Sequence, residues 1–461
     1  MSDDIVRLTA TEGIAAVRRR ELRPSQWAEA CLARAQAVDP LVNAWQALDV
    51  VAARRAAAAL DARDWAGWRP EPALAGLPLA VKDIFNTMDL PTCMGSDLWE
   101  GFTPGNDARV VAQAKLLGAF VLGKTVTAEF AVHTPGSTRN PHSSEHIAGT
   151  SSTGSAVAVV TGMAPAGLGT QSAGSIIRPA SYVGAIGFKP SFGLIPRTGV
   201  LKTADTLDSI GWFARSVADI RLLLQALRVR GRDYPVVEGG LARQALKRRP
   251  GAPWRLALAT PPTSDDWNAG ARRQLTEYAY QLGNRPDVRV IDLDLRQGFA
   301  DAHAVHRRIY HKQLAYYFQR ELQRGEAVNP IFRQITDEGR GTSTAEYVAA
   351  LRRQNELEHA LEAALSEVDA LITLSVAGEA PRWTDGPERD DSCLIWTLAG
   401  APAITLPLFR GPNGLPFGAQ LVAPRYGDVA LLELAELLFP GIVPIVEPVR
   451  AGVDLAATAG P

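Results

Sequence analysis

Cysteine is scarce in these 461 residues: Cys31, Cys93 and Cys393 stand far apart, odd in number and without a CxxC pair. That pattern gives no disulfide framework and no thiolate zinc site, and reduced thiols in a cytoplasmic protein are the expected state. Lysine is scarce too, with seven in the chain, so arginine carries most of the basic side. The formal net charge is −1, so no bulk field draws the chain to nucleic acid or to an anionic membrane. No uninterrupted apolar run reaches the ~18 residues of a membrane span. The start, MSDDIVRLTATEG, lacks the apolar core of a secretion signal. What remains is ordinary: 46% hydrophobic and 21% charged residues suit a folded globular chain and argue against disorder.

One stretch stands out. Residues 149–181 read GTSSTGSAVAVVTGMAPAGLGTQSAGSIIRPAS, two small-residue clusters flanking an apolar middle. A Gly/Ser linker would lack that apolar centre. Two tight turns joined by a buried helix or strand fit better. Such turns let a ligand approach the backbone, and their successive N–H groups form an anion-binding concavity. A phosphate loop would need G-x-x-x-x-G-K-[ST], and the stretch contains no lysine. Nucleophilic catalysis remains: a serine needs a base, a developing oxyanion needs donors, and the base can be lysine.

These residues resemble the amidase signature family. The resemblance rests on GTSSTGSAVAV, GTQSAGSIIRPASYVGAIGFKPSFG and the upstream LAGLPLAVKDIF (74–85), and extends through KTVTAEFA (124–131), TRNP (138–141), TLAGAPAITLPL (397–408) and GLPFGAQLVAP (414–424). It covers most of residues 70–430. It implies a Ser–cis-Ser–Lys triad, which maps here onto Ser175 as nucleophile, Ser151 as bridging serine and Lys82 as base, with a cis Thr150–Ser151 peptide. The backbone N–H groups of Ser172, Ala173, Gly174 and Ser175 would form the oxyanion hole. It also implies an α/β fold, a large mixed twisted sheet covered by helices on both faces, in a single domain. Within 1–461 we expect a helical N-terminal part (1–65), a signature core (70–222), a variable helical cap (225–362) and a C-terminal part of the core (363–461).

The residues read locally in the same sense. The segments 3–38 and 42–63 have helical patterning, with Pro24-Ser25 opening the second helix. Residues 74–82 are a short apolar run, hence a buried strand ending at Lys82. Taken alone, a lysine there would snorkel to the surface; the resemblance implies that it is buried and neutral. Residues 108–123 read as helix then strand, and Ser216 as the N-cap of VADIRLLLQAL with Asp219 at its third position. WRLALAT (254–260), VRVIDLDL (288–295) and DALITL (369–374) read as strands. His303 and His306, at i and i+3 on a long helix, read as polar surface residues rather than metal ligands, because no carboxylate or cysteine nearby in sequence completes a set. Neither metal nor cofactor is expected.

The chain departs from the commonest family pattern. Thr150 and Thr153 replace glycines, Gln171 stands where an aspartate is usual, and Ala173 replaces a glycine. The arginine comes one place later, as Arg178. This variant resembles a subgroup that includes malonamidase, where the matching arginine holds a substrate carboxylate. Alternatively, Arg178 pairs with an internal carboxylate and supports the loop. Gln171, Arg178, Thr150, Ala131, Phe130 and Gln420 are the expected substrate-lining residues. The function implied is hydrolysis of a small amide through an acyl-enzyme. The same machinery could serve a carbamate or aryl-ester hydrolase, or the glutaminase-type subunit of an amidotransferase. Expected partners are the small-molecule substrate and at most a second copy, since a monomer or a homodimer fits.

Overall fold

The computed structural model describes residues 2–63, 65, 73–134, 136–232, 234–247, 251–385 and 390–449. The end of the expected C-terminal part, 450–461, lies outside them, as does most of 64–72 before the core.

Eleven strands form one mixed sheet. In spatial order they are Trp45–Ala47, Phe120–Thr125, Pro78–Lys82, Ala166–Gln171, Ser209–Ala214, Ile186–Lys189, Ala403–Arg410, Pro416–Val422, Ala370–Leu374, Trp254–Thr260 and Val288–Asp294. Pro78–Lys82 runs parallel to both of its neighbours, Phe120–Thr125 and Ala166–Gln171. Ser209–Ala214 then runs antiparallel to Ala166–Gln171 and to Ile186–Lys189. The central strands Pro78–Lys82, Ala166–Gln171, Ser209–Ala214 and Pro416–Val422 are buried at every position. Successive side chains point to opposite faces, so burial at every position means that both faces are covered. The expected sheet with helices on both faces is therefore found.

The apolar middle of the signature becomes both a helix, Thr153–Val160, and the strand Ala166–Gln171. That helix is buried throughout and lies against Pro78–Lys82, Phe120–Thr125 and Ala166–Gln171. Gly154 permits this approach, because a Cβ there would stand 2.4 Å from the Ala44 carbonyl oxygen. Ser155 Oγ donates to the Leu168 carbonyl at 2.8 Å, which fixes the helix on the strand. The expected N-cap holds: Ser216 Oγ accepts from the Asp219 N–H at 3.1 Å.

Residues 225–362 do more than cap. Trp254–Thr260 and Val288–Asp294 extend the sheet as its last two strands, in parallel. The helix Ala302–Tyr317 then packs against both Pro330–Gly341 and Thr344–Ala364. Phe130, from the KTVTAEFA segment, anchors them: its ring stacks on Phe318 and Phe332, with centroids 4.8 and 5.1 Å apart.

Candidate active site

Parallel strands place their carboxyl ends together, and in open α/β sheets that is where ligands bind. Lys82 ends one such strand, and Thr170 and Gln171 end its neighbour. Lys82 is fully buried. Its Nζ lies 2.8 Å from Ser151 Oγ and 2.9 Å from Thr170 Oγ1. Among the described residues no carboxylate pairs with it. Burial pushes its pKa well below the usual lysine range, and the charge of Asp208 offsets only part of that. The next residue, Asp83, forms a buried ion pair with Lys124, 2.9 Å apart, which fixes the strand end beside Lys82.

Ser151 and Ser152 precede the helix Thr153–Val160, and the Thr150–Ser151 peptide is cis. Gly149 leads into this turn at φ +91°, a conformation that disfavours other residues. Ser175 sits on the neighbouring turn. Its carbonyl lies 3.4 Å from the Ser152 N–H, which ties the two serine turns together. Ser175 is half-buried, and among the described residues its hydroxyl has no hydrogen-bond partner. The site thus holds a lysine–serine pair at bonding distance and a second serine alongside, open to the solvent side.

The turn carrying Ser175 is held through its carbonyls. His306 Nε2 donates to the Ser172 carbonyl at 2.7 Å. Thr397 Oγ1 donates to the Ala173 carbonyl at 2.7 Å, and the Arg178 N–H to the Gly174 carbonyl at 2.9 Å. In a peptide plane the C=O and the following N–H point in opposite directions. Gripping three successive carbonyls therefore turns the N–H groups of Ala173, Gly174 and Ser175 the other way. Among the described residues these three donors have no acceptor. Below the turn, Ser172 Oγ donates to Asp208 Oδ1 at 2.6 Å, and Thr203 and Ala204 bond the same carboxylate. Ala173 keeps negative φ, so it fits where glycine is usual.

Three of the residues expected to line the pocket are turned inward. Gln171 is fully buried. Its Oε1 accepts from the Ile176 and Ile177 N–H groups at 2.9 and 3.0 Å, and its Nε2 donates to Thr397 Oγ1. It caps the helix Ile177–Val183, which has no side-chain cap from its own first residue. Gln420 is also fully buried, donating to the Leu374 carbonyl and to Ser392 Oγ from within its strand. Phe130 belongs to the aromatic cluster described above. Ala131 is half-buried, at φ +61°, in a turn whose Ala128 N–H lies 3.4 Å from the Ser151 carbonyl. Thr150 and Arg178 do meet: Arg178 Nη1 donates to Thr150 Oγ1 at 3.0 Å. Of the two roles open to Arg178, an internal carboxylate is what the fold supplies, because its Nε lies 2.6 Å from Asp391 Oδ2 with both side chains buried.

The model of the Amidase family matches residues 26–432. The chain belongs to that family. It is 31% identical to a glutamyl-tRNA(Gln) amidotransferase subunit of Acidothermus cellulolyticus, with 94% of each chain covered. It is also 31% identical to the subunit of the same name from Roseiflexus castenholzii, covering 94% of this chain and 95% of that one. Among solved structures, the peptide amidase of Stenotrophomonas maltophilia superposes with a TM-score of 0.79 at 26% identity, over 96% of this chain and 98% of that one. A chain described in connection with the origins of an s-triazine catabolic enzyme superposes with a TM-score of 0.82 at 28% identity, over 95% and 100%.

A cavity of about 400 Å³ lies between the helices Ala302–Tyr317 and Pro330–Gly341 and meets the segment that follows the Ser175 turn at Arg178. His133, Arg178, His306, Tyr310, His311 and Ile335 are among its walls. His303 and His306 are not on an open surface. His303 Nε2 bonds the Asp391 carbonyl at 3.0 Å, and His306 is buried with its pKa pushed down to about 3 by that burial. Residue-level reading of the sequence places His306 on the surface and passes over Asp391 and Thr397. Thr397 stands inside the TLAGAPAITLPL motif, so it carries a signal. His306 and Asp391 carry none beyond their residue type. Among the described residues no helix is long and apolar enough to cross a membrane, and no group of three His, Cys, Asp or Glu could hold a metal ion.

Proposed function

We propose that this chain is a serine amidohydrolase cleaving the C–N bond of a small amide through an acyl-enzyme on Ser175. The observation that carries the reading is the fully buried Lys82, without a carboxylate partner among the described residues and 2.8 Å from Ser151 Oγ. Neutral, its Nζ keeps a lone pair for a proton while it donates to Thr170. Ser175 Oγ attacks the carbonyl carbon. Its proton passes to Ser151 and from Ser151 to Lys82. The carbonyl oxygen gains negative charge and meets the N–H groups of Ala173, Gly174 and Ser175. Each such donor is worth about 2.7–4 kcal/mol in the barrier. The C–N bond breaks as the relay returns the proton to nitrogen, which leaves as a neutral amine or ammonia. Water then repeats the sequence and frees the acid and Ser175.

The same steps would serve a carbamate or an aryl ester, so the leaving group is set by the cavity and not by the triad. A second reading is favoured by the relatives at 31% identity, which are named as components of an amidotransferase: the chain would release ammonia from an amide within a complex. Against it stands the turn GTQSAGSIIR, which lacks the aspartate more usual in such subunits.

The test is hydrolysis of a panel of small amides, anilides, a carbamate and a p-nitrophenyl ester by the purified chain alone, beside Ser175→Ala. Turnover by the wild type that vanishes in the variant supports the hydrolase. Equal turnover in both sinks the assignment of Ser175. Amide hydrolysis that arises only when a partner protein is added favours the second reading.

A further inference from the structure

Arg178 is a buried cation beside the turn that carries Ser175, and its guanidinium is already matched. Nε lies 2.6 Å from Asp391 Oδ2, and Nη1 donates to Thr150 Oγ1. The approach is close: a Cβ at Gly174 would stand 2.7 Å from Arg178 Nη2 and 3.0 Å from Asp391 Oδ2, so the ion pair lies directly against the backbone that carries Ser175. Asp391 is itself held in place. Its Oδ1 accepts the Cys393 N–H at 3.0 Å, and its carbonyl accepts from His303. The carboxylate is therefore built into the wall and is not a mobile surface group.

The other charges facing the cavity are matched as well. Arg307 lies 3.7 Å from Asp390, and Glu338 lies 3.0 Å from His311 Nδ1. His306 is held neutral by burial. Among the described residues, then, the walls offer two arginines, each with its own aspartate, and no cation in excess. An arginine that faces a buried carboxylate has no electrostatic reason to exchange it for another. An anionic ligand would also meet Asp391 and Glu338 at short range, where like-charge contact is costly. The remaining walls combine apolar surface from Tyr310, Ile335 and Leu394 with uncharged polar groups such as His306 and Gln334.

Building on the amidase reading, we propose that Asp391 stands in place of a substrate carboxylate on Arg178 and restricts the site to uncharged amides, those whose acyl part bears no carboxylate. Asp391 is a specificity-determining residue in this account. It neutralises the cation that would otherwise recruit an acidic acyl group.

The experiment compares each dicarboxylic monoamide with its diamide, malonamate with malonamide and succinamate with succinamide, in the wild type and in Asp391→Asn. The asparagine keeps an acceptor for the Cys393 N–H and removes the charge. The wild type should favour the diamides in kcat/KM by about tenfold or more, and Asp391→Asn should move the ratio towards the monoamides by about tenfold or more. A wild type that prefers the monoamides, or a ratio unmoved by the substitution, overturns the proposal. If Asp391→Asn does not fold, the wild-type ratio decides alone. Calorimetric binding of malonamate to Ser175→Ala and to Ser175→Ala/Asp391→Asn separates this inference from the amidase reading. Absence of all turnover counts against the hydrolase, whereas malonamate binding only to the double variant still supports Asp391. Equal binding to both, or binding to neither, contradicts it.

Discussion

His306 Nε2 donates to the Ser172 carbonyl at 2.7 Å, joining a helix of the variable region to the turn that carries the proposed nucleophile. The bond fixes the plane of the Ser172–Ala173 peptide and so aims the Ala173 N–H. Replacing His306 with alanine should lower kcat about 10²-fold with little change in KM, because the lost interaction matters where the oxyanion forms. His306→Gln, whose amide can donate to the same carbonyl, should recover part of the loss. Steady-state kinetics on both variants check this.

The same histidine predicts an acid limit to stability. Its folded pKa is about 3, against about 6.5 when unfolded. Between those values the unfolded chain binds a proton that the folded chain does not, so stability falls as pH drops from about 6.5 towards 3, by about 1.4 kcal/mol per unit. Urea unfolding at pH 7 and pH 5 should show His306→Gln losing about 2 kcal/mol less than the wild type over that interval.

Lys82 separates function from stability. Its folded pKa is lowered by burial, so folding disfavours the ammonium form that the unfolded chain carries. Lys82→Met should leave the melting temperature equal or higher while reducing kcat by about 10⁴-fold or more. Calorimetry beside an activity assay tests both halves. A variant that unfolds would instead assign the lysine to the scaffold.

Lys124 predicts the reverse. It forms a buried pair with Asp83 and donates to Thr92 and to the Pro91 carbonyl. Lys124→Met would leave a buried carboxylate uncompensated and should cost about 3–5 kcal/mol. Adding Asp83→Asn should restore much of that. Denaturant unfolding of the single and double variants measures the coupling.

Individual strands are legible in the sequence because they are local, whereas the Lys82–Ser151 pair, 69 residues apart in the chain, is legible only through the motifs that resemble a known family. The strands at 78–82, 254–260 and 370–374 are compact apolar runs, and the serines stand in motifs of fixed spacing. The roles of Gln171, Gln420 and Arg178 are not legible in the same way. A polar side chain beside a nucleophile reads equally as a ligand for substrate or for backbone. Gln171 meets two N–H groups at the start of the next helix, and Arg178 meets an aspartate 213 residues away in the chain. His306 reads as a surface residue because its helix is polar on several sides. It is buried and bonded to the Ser172 carbonyl, which helical periodicity does not report.

Covalent trapping identifies the nucleophilic side chain. The wild type would be treated with a fluorophosphonate, digested and mapped by mass spectrometry, with Ser175→Ala and Lys82→Met alongside. The account predicts one adduct, on the peptide containing Ser175, absent from Ser175→Ala and formed far more slowly in Lys82→Met. An adduct on another serine that forms equally in all three proteins would contradict it.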